Sequence, residues 1–295
     1  MKILITGLTG FIGKNFYRYS KYKNNILAVS NKSSILKNFQ NEDINFVDCE
    51  LENISNFRNQ IKEFDPDCVI NFAWKGLPDY SIEMSKKNLN ITLDFFNFLE
   101  KNTKIKKFIN TGTCAEYLNP SGKISENNLV KPYDYFSSAK ISLSQKIKKR
   151  CDKFNINYIN LRLFYVYGLH QRDKSLIPFL INSYKKGVIP KLSSPFSKLD
   201  YINCKDVINA VDSCLKNSIP SGDYNVGYGM ATSNYKIQEI ISRKFNFEFN
   251  KDIYRSGNDE INFYSDNSKL IDATGWSPKI NPSTGIQNIL EEDVV

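Results

Sequence analysis

KILITGLTGFIG, residues 2–13, is the stretch that decides the fold. Lys2–Thr6 reads as a buried strand and Phe11–Tyr19 repeats apolar residues at helical spacing, so the chain must turn between them. Glycines at 7, 10 and 13 permit a tight turn and a close approach of backbone to a pyrophosphate. The helix N-terminus then offers unpaired N–H groups and the positive end of its dipole. The spacing is GxxGxxG rather than GxGxxG, and its position between strand and helix gives it weight. Gly7, Thr9, Gly10, Phe11, Ile12 and Gly13 are therefore the expected cofactor cradle. A Lys followed by an apolar stretch also suggests a secretory leader. The glycines interrupt it and no small-residue cleavage site follows, so these residues are read as structure.

Outward from the cradle, strand-like runs at Ile26–Ser30, Ile44–Val47, Cys68–Phe72, Lys107–Asn110 and Tyr158–Leu161 alternate with helical patterns at Ile54–Phe64, Ser85–Lys101 and Phe136–Phe154. Such alternation predicts an α/β fold, a doubly wound parallel sheet of the Rossmann type with helices on both faces. After Gly168, Pro178, Pro190, Pro195 and Pro220 break the pattern. A smaller C-terminal α/β lid is expected there, over the carboxyl ends of the strands where open sheets place ligands. The division expected is residues 1–168 with 199–227 for the dinucleotide and 169–198 with 228–295 for the substrate.

The 295 residues are 41% apolar, compatible with a substantial core, and no run of about 18 apolar residues predicts a membrane span. The net charge of +9 comes from dispersed Lys, which suits a solvated surface better than nucleic-acid binding. The six Cys form no CxxC pair and have no His partners, which predicts reduced thiols, no metal site and a cytoplasmic location.

An NAD site wants an acid after the second strand to accept from the adenosine ribose, and no acid occurs before Glu42. Ser30, Asn31 and Lys32 stand there instead and suit a 2′-phosphate, so NADP(H) is favoured over NAD(H). Asp48 and Cys49 are expected near the adenine. Phe72, Ala73 and Trp74 are expected beside the middle of the cofactor, with Thr111 farther along.

Together with the cradle, the motifs Asn71-Phe72-Ala73-Trp74, Asn90, Thr111-Gly112-Thr113-Cys114-Ala115-Glu116-Tyr117, Phe136-to-Lys140, Arg162-to-Gly168, Asp200-Tyr201-Ile202 and Tyr224-Asn225-Val226-Gly227 occur in one order. On these the chain resembles, over nearly its whole length, the extended short-chain dehydrogenase/reductase family of sugar-nucleotide epimerases, dehydratases and ketoreductases. The resemblance implies a catalytic Ser/Thr, Tyr and Lys. Thr113, four before Tyr117, would bond the substrate carbonyl, and Lys140 would hold the nicotinamide ribose and lower a phenol's pKa. The acid belongs at position 136, which holds Phe. Tyr135 is turned about 100° away on a helix, and Tyr133 lies about 10 Å along the axis from Lys140. Phe136 is read first as a Tyr→Phe change that keeps the ring and deletes the acid. A natural departure with another acid or water, and a non-catalytic cofactor-binding sensor, are the alternatives.

Dehydratases of the family carry Asp-Glu after the Thr, whereas this chain has Cys114-Ala115. The Cys and His used by fucose-synthase-like members are out of place, so packing or loop contacts are the expected roles of Cys114 and His170. The segments FAWKG and TGTCAEY look most like 4-ketoreductases of nucleotide-linked deoxy sugars, with an epimerase as the alternative. The implied partner is a nucleotide sugar, contacted by Thr113, Cys114, Ala115, Phe136, Arg172 and Lys198. A homodimer is expected through the two long helices, as is common in the family.

Overall fold

The strand-like runs of the first half of the chain all join one parallel sheet. In the computed structural model, which describes residues 1–39, 42–248, 254 and 261–292, the large sheet has seven strands: β1 (Ile3–Thr6), β2 (Ile26–Ser30), β3 (Phe46–Asp48), β4 (Cys68–Asn71), β5 (Lys107–Thr113), β7 (Asn157–Leu163) and β10 (Gly222–Val226). They run in the order β10-β7-β5-β4-β1-β2-β3, each pair parallel. Side chains alternate across each strand. Ile3 and Ile5 join Phe16 of α1 (Phe11–Tyr19) and Val207 and Val211 of α7 (Cys204–Lys216) on one face. Leu4 meets Phe95 and Leu99 of α4 (Ile82–Asn102) and Leu143 and Ile147 of α5 (Tyr135–Phe154) on the other. A strand covered on both faces must be apolar on both, so these runs are continuous rather than alternating.

A polar rung crosses this sheet, at the carboxyl ends of β1 and β4, the middle of β5 and β7 and the start of β10. Thr6, Asn71, Asn110, Asn160 and Asp223 stand in register on β1, β4, β5, β7 and β10. The Thr6 hydroxyl donates to Asn71 Oδ1 at 2.6 Å, and the Asn71, Asn110 and Asn160 amides each donate to the next side chain at 2.7–2.9 Å, ending on Asp223. Buried amides are tolerated only when satisfied, and here each satisfies its neighbour. The rung fixes strand register directly beneath the candidate site.

Local differences from the sequence expectation have local causes. β5 and β7 run three and two residues past their expected ends because Thr111, Gly112 and Thr113 pair with Leu161, Arg162 and Leu163. The helix expected over 54–64 begins as a 3₁₀ segment, Leu51–Phe57, and is α-helical only as α3 (Arg58–Phe64). Asn53, Ser55 and Asn56 compete for backbone hydrogen bonds and weaken the α start. α2 (Lys32–Asn38) was not foreseen: it is capped by Asn31, which accepts from the Ser34 amide, and buries only Ile35.

The remaining strands form two small sheets. β8 (Tyr165–Tyr167), β9 (Lys198–Asn203) and β11 (Ala231–Ser233) make one, while β6 (Gly122–Ile124) pairs with β12 (Phe263–Ser265). They pack with α6 (Leu176–Lys185), α8 (Asn234–Lys244) and α10 (Pro282–Glu292) around Tyr117, Phe164, Tyr184 and Ile237. α9 (Ser268–Thr274) lies against β10. Within residues 199–227, β9 belongs to the small sheet, whereas β10 joins the large one. Among the described residues no helix is long and apolar enough to cross a membrane.

Candidate functional site

The cradle glycines are required by space. Gly7 has φ +73°, and a Cβ there would lie 2.6 Å from the Ala73 nitrogen. At Gly13 a Cβ would lie 2.5 Å from Leu8 Cα and closer still to the Gly7 carbonyl oxygen. Backbone cannot yield as a side chain can. Gly13→Ala is therefore expected to cost several-fold or more in dinucleotide affinity, together with a lower Tm, as read by calorimetric titration and thermal unfolding; unchanged values would show that the turn relaxes freely. Gly10 caps α1 without a side-chain bond, which leaves the first amides of the helix for a ligand.

Gly7 and Gly10, but not Gly13, open onto a hollow of about 290 Å³ lined also by Thr9, Ser30, Asn31, Cys49, Glu50, Phe72, Ala73, Trp74 and Lys75, among others. Phe11 and Ile12 line the neighbouring cleft instead. Lys32 and Asp48 line neither: the Asp48 carboxylate accepts the Lys32 backbone amide at 2.6 Å. The acid that enters the hollow is Glu50, two residues on. Its carboxylate accepts from Asn31 Nδ2 at 2.6 Å and is ion-paired with Lys75, which also meets Glu52 at 3.0 Å. Those partners, Lys75 first, draw the Glu50 carboxyl below its usual range. Lys75 is held by buried Asn88, which bonds both its amide and its carbonyl. Asn90, one of the expected family markers, is exposed on the same helix.

The cleft, about 720 Å³, lies between the carboxyl ends of the large sheet and the small-sheet region. Thr111, Thr113, Cys114, Ala115, Phe136, Lys140 and Arg172 all line it. Thr113 Oγ1 accepts the Ala115 amide at 3.2 Å, which leaves its own proton to donate into the cleft. Lys140 is 6% exposed, donates to the Thr111 carbonyl at 2.8 Å and sits 4.1 Å over the Trp74 ring. Burial drops its pKa to about 8, against the opposing pull of Glu116. Its ammonium lies 5.9 Å from the Phe136 ring, which Trp74 and Tyr80 grip edge-on at 5.5 and 5.2 Å. Tyr133 lines the cleft and Tyr135 does not. Lys198 is exposed on β9, away from the lining.

Cys114 is buried, its thiol pushed up to about 12 by desolvation, so it is no thiolate near neutral pH. His170 faces α1, outside the cleft.

Beneath Thr113 lies a charged cluster that sequence reasoning missed. Glu116 accepts the Thr113 amide at 3.0 Å and the Arg162 Nε at 2.9 Å, and it is 1% exposed. Arg162 also reaches the Tyr117 hydroxyl and Asp223 at 3.1 Å each. Burial pushes the Glu116 carboxyl up while Arg162 pulls it back. Glu116 and Arg162 were visible only as letters of two motifs. Strand pairing of Gly112 with Arg162 is what joins them. Glu50 could have been found by following the β3 exit two residues past Asp48.

Comparison with known proteins agrees with this arrangement. Residues 3–227 match the model of the NAD dependent epimerase/dehydratase family. CDP-abequose synthase of Salmonella typhimurium is 24% identical over 98% of this chain and 97% of its own length. dTDP-D-glucose 4,6-dehydratase of Dictyostelium discoideum is 28% identical over 81% of this chain, which spans 61% of that protein. Among solved structures, a tyrosine-to-phenylalanine mutant of UDP-glucuronic acid 4-epimerase from Bacillus cereus, in complex with UDP-4-deoxy-4-fluoro-glucuronic acid and NAD, superposes with a TM-score of 0.82 at 19% identity, covering 100% of both chains. The strand–cradle–helix opening, the Thr113–Lys140 cleft and the family match lead to one conclusion: this chain belongs to the NAD-dependent epimerase/dehydratase family.

Proposed function

We propose that the protein is a ketoreductase that moves hydride between a nicotinamide dinucleotide and a keto carbon of a nucleotide-linked deoxy sugar. The carrying observation is the meeting of Thr113, Lys140 and an aromatic ring at 136 on one cleft that adjoins the Gly7–Gly10 hollow. The cofactor, when bound, supplies the hydride. Thr113 donates to the carbonyl oxygen, and Lys140 holds a positive charge beside the position where the alkoxide forms. Arg172, at the rim, suits the substrate diphosphate. Phe136 keeps the ring without the hydroxyl, so in this reading the chain binds its substrate and turns over slowly. Water loss is disfavoured. Among the described residues Asp134 is the one acid lining the cleft, and it is committed to capping α5 through the Ser137 amide at 2.7 Å.

Sequence favoured NADP(H), and Glu50 alters that balance. Glu50 lines the hollow, and its negative charge would repel a 2′-phosphate there, while Lys75 is already matched by two acids. NAD(H) is the better fit. Fluorescence titration is expected to give NADH at least about tenfold tighter binding than NADPH, and Glu50→Gln is expected to narrow the gap by a similar factor. Tighter binding of NADPH by the unaltered chain would restore the assignment made from Ser30, Asn31 and Lys32.

The same acid gives the epimerase reading its support, because an enzyme that oxidises and re-reduces one carbon suits retained NAD. Incubation with 4-keto-6-deoxy nucleotide sugars and, separately, with UDP-hexoses separates the two. Net consumption of reduced cofactor marks the ketoreductase, and interconversion without consumption marks the epimerase.

A further inference from the structure

The sequence singled out His170, the only histidine, and the proposed reaction leaves it unused. The turn that carries it is clamped onto α1. Asn15, 1% exposed, donates to the carbonyls of Phe11 and Leu169 at 2.9 and 2.8 Å. His170 follows with φ +65°, a left-handed conformation that a non-glycine residue rarely adopts. It closes one side of a groove of about 460 Å³ lined by α1, the end of α2 and residues 39 and 42.

Five basic side chains line this groove: Lys14, Arg18, Lys23, Lys37 and His170. Among the described residues one acid, Glu42, lines it as well, accepting from the Tyr17 hydroxyl at 2.9 Å. Arg18 turns to Glu292 at 2.9 Å. Among the described residues Lys14 and Lys37 have no acidic partner. Burial and the charge of Lys37 both lower the Lys14 pKa. The charges of Lys14 and Lys37 repel one another, and a multiply charged anion between them relieves that repulsion.

We propose that this groove is a second anion site, taking a phosphate-bearing small molecule. Tyr17 and Phe39, whose ring centroids lie 5.1 Å apart, supply an apolar wall of the kind that takes a base or sugar face. The groove shares no lining residue with the dinucleotide hollow or the cleft. It is large enough for a small ligand.

The test is calorimetric titration with inorganic pyrophosphate at 0.15 M NaCl, with saturating NADH present to occupy the cradle. Binding is expected below about 1 mM, and Lys14→Glu/Lys37→Glu should weaken it at least about tenfold while NADH affinity stays within about threefold. A charge-matched pair on other surfaces, Lys148→Glu/Lys236→Glu, should stay within about twofold. Should the reversal unfold the chain, Lys14→Met/Lys37→Met carries the same expectation. The proposal is overturned if pyrophosphate fails to bind in the presence of NADH. It is equally overturned if the control pair loses as much affinity as the groove pair, since the attraction would then be diffuse.

Discussion

Phe136→Tyr is expected to raise turnover of 4-keto-6-deoxy nucleotide sugars by about 10²–10⁴-fold, the usual worth of a positioned general acid. The ring at 136 is already held edge-on by Trp74 and Tyr80, and Lys140 stands 5.9 Å from its centroid. Adding a hydroxyl therefore leaves the ring where it is and places a phenol beside a buried ammonium, which lowers the phenol's pKa. The gain should fall on kcat with KM nearly unchanged, because the added proton is needed in the transition state more than in the ground state. Lys140→Met in the Tyr background should remove most of it. Steady-state kinetics with reduced cofactor checks both. An unchanged kcat in the Phe136→Tyr chain, with sugar nucleotide still bound, would sink the ketoreductase reading. The epimerase or a cofactor-binding sensor would then stand in its place.

Arg162→Met is expected to destabilise the fold by about 3–5 kcal/mol, because removing one partner strands buried charge. Arg162 is 5% exposed and serves Glu116, Asp223 and the Tyr117 hydroxyl at once. Without it, Glu116 keeps the Thr113 amide but loses its counter-ion, and Asp223 keeps the rung amide of Asn160. Urea unfolding of the variant gives the number. Adding Glu116→Gln should recover part of the loss, since a neutral amide costs less to bury than a lone carboxylate. A loss under about 1 kcal/mol would mean that water reaches the cluster and that the pair is not the support of Thr113 argued above.

The reading of the large sheet succeeded where one physical signal dominated. β1, β4 and their neighbours are covered on both faces, so their sequences had to be apolar throughout, and the glycine turn after β1 admits no Cβ at 7 or 13. α2 and the small strands after Leu163 were not legible. They are three to seven residues long, too short for periodicity to rise above composition. At the site, Thr113, Phe136 and Lys140 could be named because two lie four apart on one helix and the third follows from a motif. Asp48 and Lys32 were named by their distance from a strand end. The structure instead ties them to each other and turns Glu50 into the hollow.

The sequence by itself determined the order of elements, the cradle and the identity of the residue standing at the acid's place, because backbone sterics and side-chain periodicity act over a few neighbours. Only the tertiary structure decided that Glu50 and Lys75 share the hollow, that Arg162 lies under Thr113, and that His170 faces Lys14 rather than the cleft. Each of these depends on charges brought together from distant segments. A charge is read from its letter, but its partner is chosen by the packing that carries both out of water.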